Sequence, residues 1–315
     1  MTKKVLVVHY SQSGQLSDIA RRFVQPLIDA EDVSVVFENL CPQQEFPFPW
    51  PFFRFLDTFP ECVHLDPPPL KPLQVSAADD FDLVIVAYQV WFLSPSLPVT
   101  AFMQSPEAAQ LLHNKPVVTL IACRNMWLLA QEEMKKMIAD LGGYLVGNVA
   151  LVDEAGSLGS FLATPVWVLS GKKGPHWGGL IPRAGVAAEE IKRTERFGRR
   201  ILQELRNDRP LDEKLLQNLN AVRVDETLIG SETAGRRAFL LWGRLFRKLG
   251  RPGAFPRRCL VTVYAVFLVA MIVTVVPLGI LLKKLFAPLT RDRIARQKAY
   301  FSGPSGSAPE LEDGH

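Results

Sequence analysis

Apolar residues fall into two alternating patterns along the first two-thirds of the chain. Residues 5–8 (VLVV) are a short, continuous, mostly β-branched run, as expected of a strand covered on both faces of a parallel sheet. A polar turn, Ser11-Gln12-Ser13-Gly14, follows. From Gln15 the spacing becomes helical, with Leu16, Ile19, Ala20 and Phe23 on one face. Further strands are expected at 33–37, 81–87, 116–122 and 144–152, and helices at 97–112, 128–141 and 185–205. Strands alternating with helices predict an α/β domain over residues 1–205, built on a doubly wound five-stranded parallel sheet with right-handed crossovers.

Two segments interrupt the alternation. Residues 41–75 hold nine prolines among seven Phe and Trp residues, a mixture that argues against both a long helix and a solvated linker. Residues 153–184 form a second loop-rich insertion with Trp167, Lys172, Lys173, His176 and Trp177. Both follow strands, at the end of the sheet where open α/β folds place ligands, and both are expected to act as lids over a substrate cavity.

Beyond the domain the pattern changes twice more. Residues 206–235 read as a polar linker, and 236–250 as an amphipathic helix with aromatic residues set among basic ones. Residues 259–282 then carry no charge, and at ~1.5 Å per residue the run spans roughly 36 Å, enough to cross a bilayer or to re-enter it. Residues 286–315 are expected to be disordered.

Charge sharpens this picture. Residues 1–190 hold 13 Lys+Arg against 20 Asp+Glu, and residues 191–315 hold 23 against 12, so the net +4 arises in the C-terminal part. A basic stretch beside a bilayer-length apolar run points to a membrane surface, not to nucleic acid. Cys41, Cys62, Cys123 and Cys259 have no metal-ligand or disulfide-framework spacing, so no metal is expected and a reducing compartment is the default. The N-terminus has too short an apolar run for a secretory signal, which places the domain on the cytoplasmic face, anchored by residues 259–282.

The candidate chemistry lies in three loops. Ser11-Gln12-Ser13-Gly14-Gln15-Leu16 joins the first strand to the first helix, where hydroxyls and successive backbone N–H groups form an anion site. This loop resembles the phosphate loop of the flavodoxin family, which prefers Thr where Leu16 stands. The resemblance implies that Ser11, Ser13, Gly14, Gln15 and Leu16 hold the phosphate of FMN. After the third strand, Gln89-Val90-Trp91-Phe92-Leu93 is similar to the flavin loop of flavodoxin-like quinone reductases, an aromatic pair followed by a small-residue turn. It implies ring stacking and backbone N–H contacts to the isoalloxazine. Cys123-Arg124-Asn125 matches the family by position, with Arg124 the candidate catalytic residue, favouring an anionic reduced flavin; a surface salt bridge is the alternative.

At a finer level, the opening KVLVVHYSQSGQL, the YQVWFLSPSLP loop, the TPVWVLSGKKG insertion and the C-terminal apolar run resemble a flavodoxin-like group of dialkylresorcinol biosynthesis, often labelled "dialkylresorcinol condensing enzyme". That resemblance implies an FMN-dependent aromatase that oxidises an alkylated cyclohexane-dione to a resorcinol, beside a ketosynthase-like partner enzyme. The alternatives are a membrane-tethered NAD(P)H-quinone reductase and a flavodoxin-type electron carrier. The expected partners are a hydrophobic small-molecule substrate and membrane lipid, with homodimer formation left open.

Overall fold

A computed structural model describes residues 2–207 and 209–306, apart from the side chains of residues 157, 158, 272 and 275–289. Five parallel strands form the sheet: β1 (Lys3–His9), β2 (Val33–Asn39), β3 (Leu83–Trp91), β5 (Pro116–Cys123) and β6 (Tyr144–Val152). They lie in the order β2-β1-β3-β5-β6. A sixth strand, the two-residue β4 (Ser94–Pro95), pairs antiparallel with the end of β3 and corrects the expected count of five. Setting β4 aside, the order is the flavodoxin-like doubly wound arrangement, whose ligand crevice lies where the order reverses between β1 and β3.

The alternating burial of the strands explains their composition. Val5 and Val7 of β1, with Leu83, Ile85 and Ala87 of β3, face one hydrophobic cluster; Leu6, Val8, Val84, Val86 and Tyr88 face the other. Both faces of the sheet are therefore dry, and an unbroken apolar run is the sequence consequence. The first cluster is closed by α1 (Gln15–Phe23), α2 (Gln25–Ile28), α8 (Ala188–Arg193) and α9 (Glu195–Arg206). The second is closed by α4 (Leu97–Met103), α5 (Pro106–Leu112) and α6 (Leu128–Asp140). The single helices expected at 97–112 and 185–205 are each broken in two. Pro106 starts α5 under a Ser105 cap, and the buried Thr194 separates α8 from α9.

Both insertions contain helices despite their prolines. α3 (Phe52–Val63) starts after Pro51 and carries Pro60 inside it, and α7 (Gly156–Ser170) carries Pro165. Packing offsets the lost backbone bond: Phe59 and Val63 of α3 are buried in a third hydrophobic cluster.

The C-terminal part differs most from the sequence reading. Leu211, Leu215, Leu216 and Ala221, in the stretch read as a polar linker, are buried in the first cluster. α10 (Glu226–Lys248) begins ten residues before the expected amphipathic helix, capped by Asp225, which accepts from the Thr227 N–H at 3.0 Å. Its aromatic side faces protein: Phe239 and Phe246 pack on Phe59 of α3. α11 (Phe255–Ser302) extends beyond the residue at which disorder was expected to begin, and Ser305 is fully buried, its hydroxyl accepting from the Asn148 N–H at 2.7 Å. Residues 307–315 lie outside the described residues. Among the described residues no helix is long and apolar enough to cross a membrane. The expected span over 259–282 includes residues 272 and 275–282, whose side chains are outside those described.

Candidate functional site

The C-terminal ends of β1, β3 and β5 deliver the three loops to one cavity of about 550 Å³, and Asp153, just after β6, joins its wall. Ser13, Gln15 and Leu16 line it from the first loop, and Gln89, Val90, Trp91, Phe92 and Leu93 from the second. Cys123 and Arg124 line it from the third. Of the other expected residues, Ser11 and Gly14 belong to the first loop without forming the wall, and Asn125 is buried beside Arg124.

In the first loop, Gly14 has φ +85°, and a Cβ built there would meet open space. Ser11 Oγ accepts from the Leu16 N–H at 3.1 Å and so fastens the first turn of α1. The N–H groups of Ser13 and Gly14 have no partner among the described residues. Unpartnered backbone donors beside open space at a helix N-terminus are the makings of an anion cradle. Leu16 is fully buried, and its neighbour Ser17 is 3.2 Å from His9 Nε2, so neither supplies the hydroxyl that the resemblance calls for at that position. Gln15 acts differently from expectation, because its side-chain amide donates to the Val186 carbonyl and accepts from the Val186 N–H, both at 3.1 Å. Its side chain clamps the chain after the second insertion; only its backbone is left for an anion.

The second loop is a tight hairpin. Phe92 and Leu93, between β3 and β4, have φ +50° and +61°. Positive φ at both central residues is a turn geometry that favours Asn-Gly, and two bulky residues there hold backbone strain at the cavity wall. Trp91 stands edge-on to Tyr10, Phe46 and Trp50, with ring centroids 5.1–5.9 Å away, and so joins the first insertion to the sheet. Phe92 packs on Phe55 at 5.0 Å and on Phe239 at 6.0 Å.

In the third loop, the Arg124 guanidinium lies 4.1 Å from the Phe161 ring centroid, and its Nε donates to Asn125 Oδ1 at 3.2 Å. Burial pulls its pKa below the usual guanidinium range, yet it remains a cation at neutral pH. No carboxylate lies within ion-pair distance of it among the described residues, although the charge of Asp153 on the same wall acts on it, so it is a cavity-wall cation. Burial pushes the Cys123 thiol far up, which removes it as a nucleophile.

Several wall residues were not anticipated. Gln12 donates from its amide to the carbonyls of Phe46 and Pro47 at 3.0 and 2.8 Å, pinning the first insertion over the loop. Asp153 accepts from Thr164 Oγ1 at 3.0 Å and from the Gly185 N–H at 2.8 Å, holding α7 against the rim. Gly185 has φ +95°, and a Cβ there would come within 2.8 Å of the Gln15 amide. Phe239 and Trp242 of α10, with Tyr264, Phe267, Leu268 and Met271 of α11, close the far end. Spacing could not reveal these, because they come from a part of the chain that reads as a separate anchor. A larger groove of about 1230 Å³ lies along α3 and the 250–259 turn, away from the three loops, with Asp57, Glu61 and Asp66 on its wall already ion-paired.

No family model and no curated protein matches the chain. Solved structures similar to it include flavoproteins. One is a Lactobacillus acidophilus flavoprotein in complex with FMN, at 13% identity, TM-score 0.38, covering 48% of this chain and 93% of that one. A Bacteroides uniformis protein described as a putative flavoprotein is 13% identical at TM-score 0.36, over 54% and 97% of the two chains. An archaeal flavodoxin is 14% identical at TM-score 0.29, over 53% and 94%.

Proposed function

We propose that the chain is an FMN-dependent oxidoreductase that aromatises an alkylated cyclohexane-dione to a dialkylresorcinol-type lipid at a membrane surface. The observation that carries the flavin is the phosphate loop at the switch point. Its Ser13 and Gly14 N–H groups lack partners among the described residues, and the space at Gly14 is open. These residues fit a phosphate monoester held by hydrogen bonds rather than by a lysine or arginine. Ser13, Gly14 and the backbone of Gln15 would hold the phosphate, with Ser11 fastening the turn behind them, and the 89–93 hairpin with Arg124 would border the ring. FMN supplies a two-electron acceptor when bound.

The remaining steps belong to the chain. Gln12 and Asp153 hold the two insertions over the cavity, excluding water from the ring that loses hydride. The Arg124 cation, desolvated against Phe161, favours negative charge developing nearby. The apolar end, built by α10 and α11, suits alkyl chains. It also speaks against a bare electron carrier, which needs an exposed flavin edge and no substrate cavity.

Purified protein reconstituted with FMN is expected to show flavin absorbance, and Gly14→Val, strained at φ +85°, to abolish it while the helical circular dichroism is retained. Anaerobic addition of a synthetic dione is expected to bleach the flavin and yield resorcinol. Bleaching by NADPH with no response to dione would replace this reading with a quinone reductase.

A further inference from the structure

α11 has two faces, and both are apolar. Tyr264, Phe267, Leu268 and Met271 turn inward, to the cavity wall. Val263, Val266, Val269 and Val273 turn outward and are 57–68% exposed. The spacing of three and four residues makes the outer set one stripe along the helix. α10 carries a second exposed stripe, Leu241, Leu245 and Leu249, and Phe255 stands 77% exposed at the start of α11.

The surroundings are basic. Arg244, Lys248, Arg251 and Arg258, around the turn from α10 to α11, are exposed and have no acidic partner among the described residues. Contiguous apolar stripes rimmed by unpaired cations and one exposed aromatic ring match the interface of an anionic bilayer. The other end of α11 returns to the same body. Lys298 pairs with Glu226 at 3.3 Å, and the Tyr300 hydroxyl donates to Glu132 at 2.6 Å. Both ends are thus held on one side of any bilayer, which a single crossing between them would not permit.

We propose that the outer face of α11 lies against an anionic lipid bilayer, and that the cavity receives the alkyl tail of its ligand from that bilayer across the α10–α11 seam. At the seam the Trp242 ring meets Tyr264 and Phe267, with centroids 5.1 and 4.9 Å apart, so these three rings form the wall between the outer face and the cavity. The ligand class follows from the wall: a polar ring beside Gln89 and Arg124, with an aliphatic tail against Phe267, Leu268 and Met271. This inference rests on the flavin reading for its polar end alone.

The test uses the full FMN-loaded chain and two measurements. In flotation, wild-type protein is expected to rise with phosphatidylcholine–phosphatidylglycerol vesicles. Val266→Glu/Val269→Glu and Arg251→Gln/Arg258→Gln should each weaken this at least about tenfold, with flavin absorbance retained. In the second measurement, alkylresorcinols are expected to perturb the flavin spectrum. The valine variant should lose at least about tenfold in response to a long-chain alkylresorcinol carried in vesicles and keep its response to a short-chain one in solution. Variants that float like wild type, or a valine variant with both responses intact, would overturn the proposal. If resorcinols bind but no dione is oxidised, the aromatase reading fails and this one stands. If no flavin binds at all, flotation alone decides the lipid contact.

Discussion

Ser11 and Ser13 look equivalent in the sequence, yet only Ser13 lines the cavity, because Ser11 Oγ is held by the Leu16 N–H. Ser11→Ala is therefore expected to lower stability by about 1 kcal/mol, as loss of a helix cap does, in a urea titration. Ser13→Ala should leave stability unchanged and weaken FMN about tenfold, the cost of one hydrogen bond to an anion, read by fluorescence titration. Glu232, on α10, makes a second prediction. It is 1% exposed, it accepts from the Leu129 N–H at 2.7 Å, and burial raises its pKa from 4.5 to about 7. Between pH 4.5 and about 7 the folded chain holds a proton at Glu232 that the unfolded chain has lost. Its contribution to stability is present below that window and lost as pH rises through it, by up to roughly 3 kcal/mol. Glu232→Gln should flatten that decline in melting temperature measured from pH 4.5 to 7.5.

The elements that build the far wall are fastened by charges that composition alone would assign to a membrane surface. Arg257 is fully buried, and its guanidinium donates to Asp57 at 2.7 Å and to Glu61 at 2.9 Å, joining α11 to α3. Arg236 of α10 donates to Ser94 Oγ in the β3–β4 hairpin and to Glu133 Oε1 at 3.1 Å. Arg257→Ala leaves the buried Asp57 and the half-buried Glu61 without their cation and is expected to cost about 3 kcal/mol in urea unfolding. Asp57→Ala/Glu61→Ala/Arg257→Leu, which removes all three charges, should recover part of that loss. The prolines make the complementary point. Pro60 and Pro165 sit inside α3 and α7, where local propensity opposes a helix and burial of the apolar face favours one.

The α/β body, the insertions and the C-terminal helices form one structure around the cavity. Sequence alone suggests that cutting near residue 234 should release a soluble flavin domain. The structure argues otherwise, since the cut removes Phe239, Trp242 and Phe246 and uncovers Phe59, each burial contributing about 1.5–3 kcal/mol. The truncated chain is expected to melt at least about 10 °C lower than the full chain in detergent and to lose FMN on gel filtration. A truncated protein that keeps both would mean that α10 and α11 are dispensable to the site.

What the sequence by itself determined is whatever depends on neighbours along the chain. The five long strands, the strand–turn–helix around Ser11–Leu16 and the helical phase of α1 follow from runs, periods and a glycine within a dozen residues. These local features also placed ten of the thirteen candidate residues on the wall of one cavity, because the ends of adjacent parallel strands necessarily meet. What only the tertiary structure decided depends on partners far away in sequence. The Gln15 side chain is taken up by Val186, 171 residues on. The aromatic side of α10 chose Phe59 over lipid. Arg257 became a buried fastener, 200 residues from Asp57. An aromatic or basic side chain suits a bilayer interface and also a protein groove that buries its ring and pairs its charge, and no local pattern distinguishes the two.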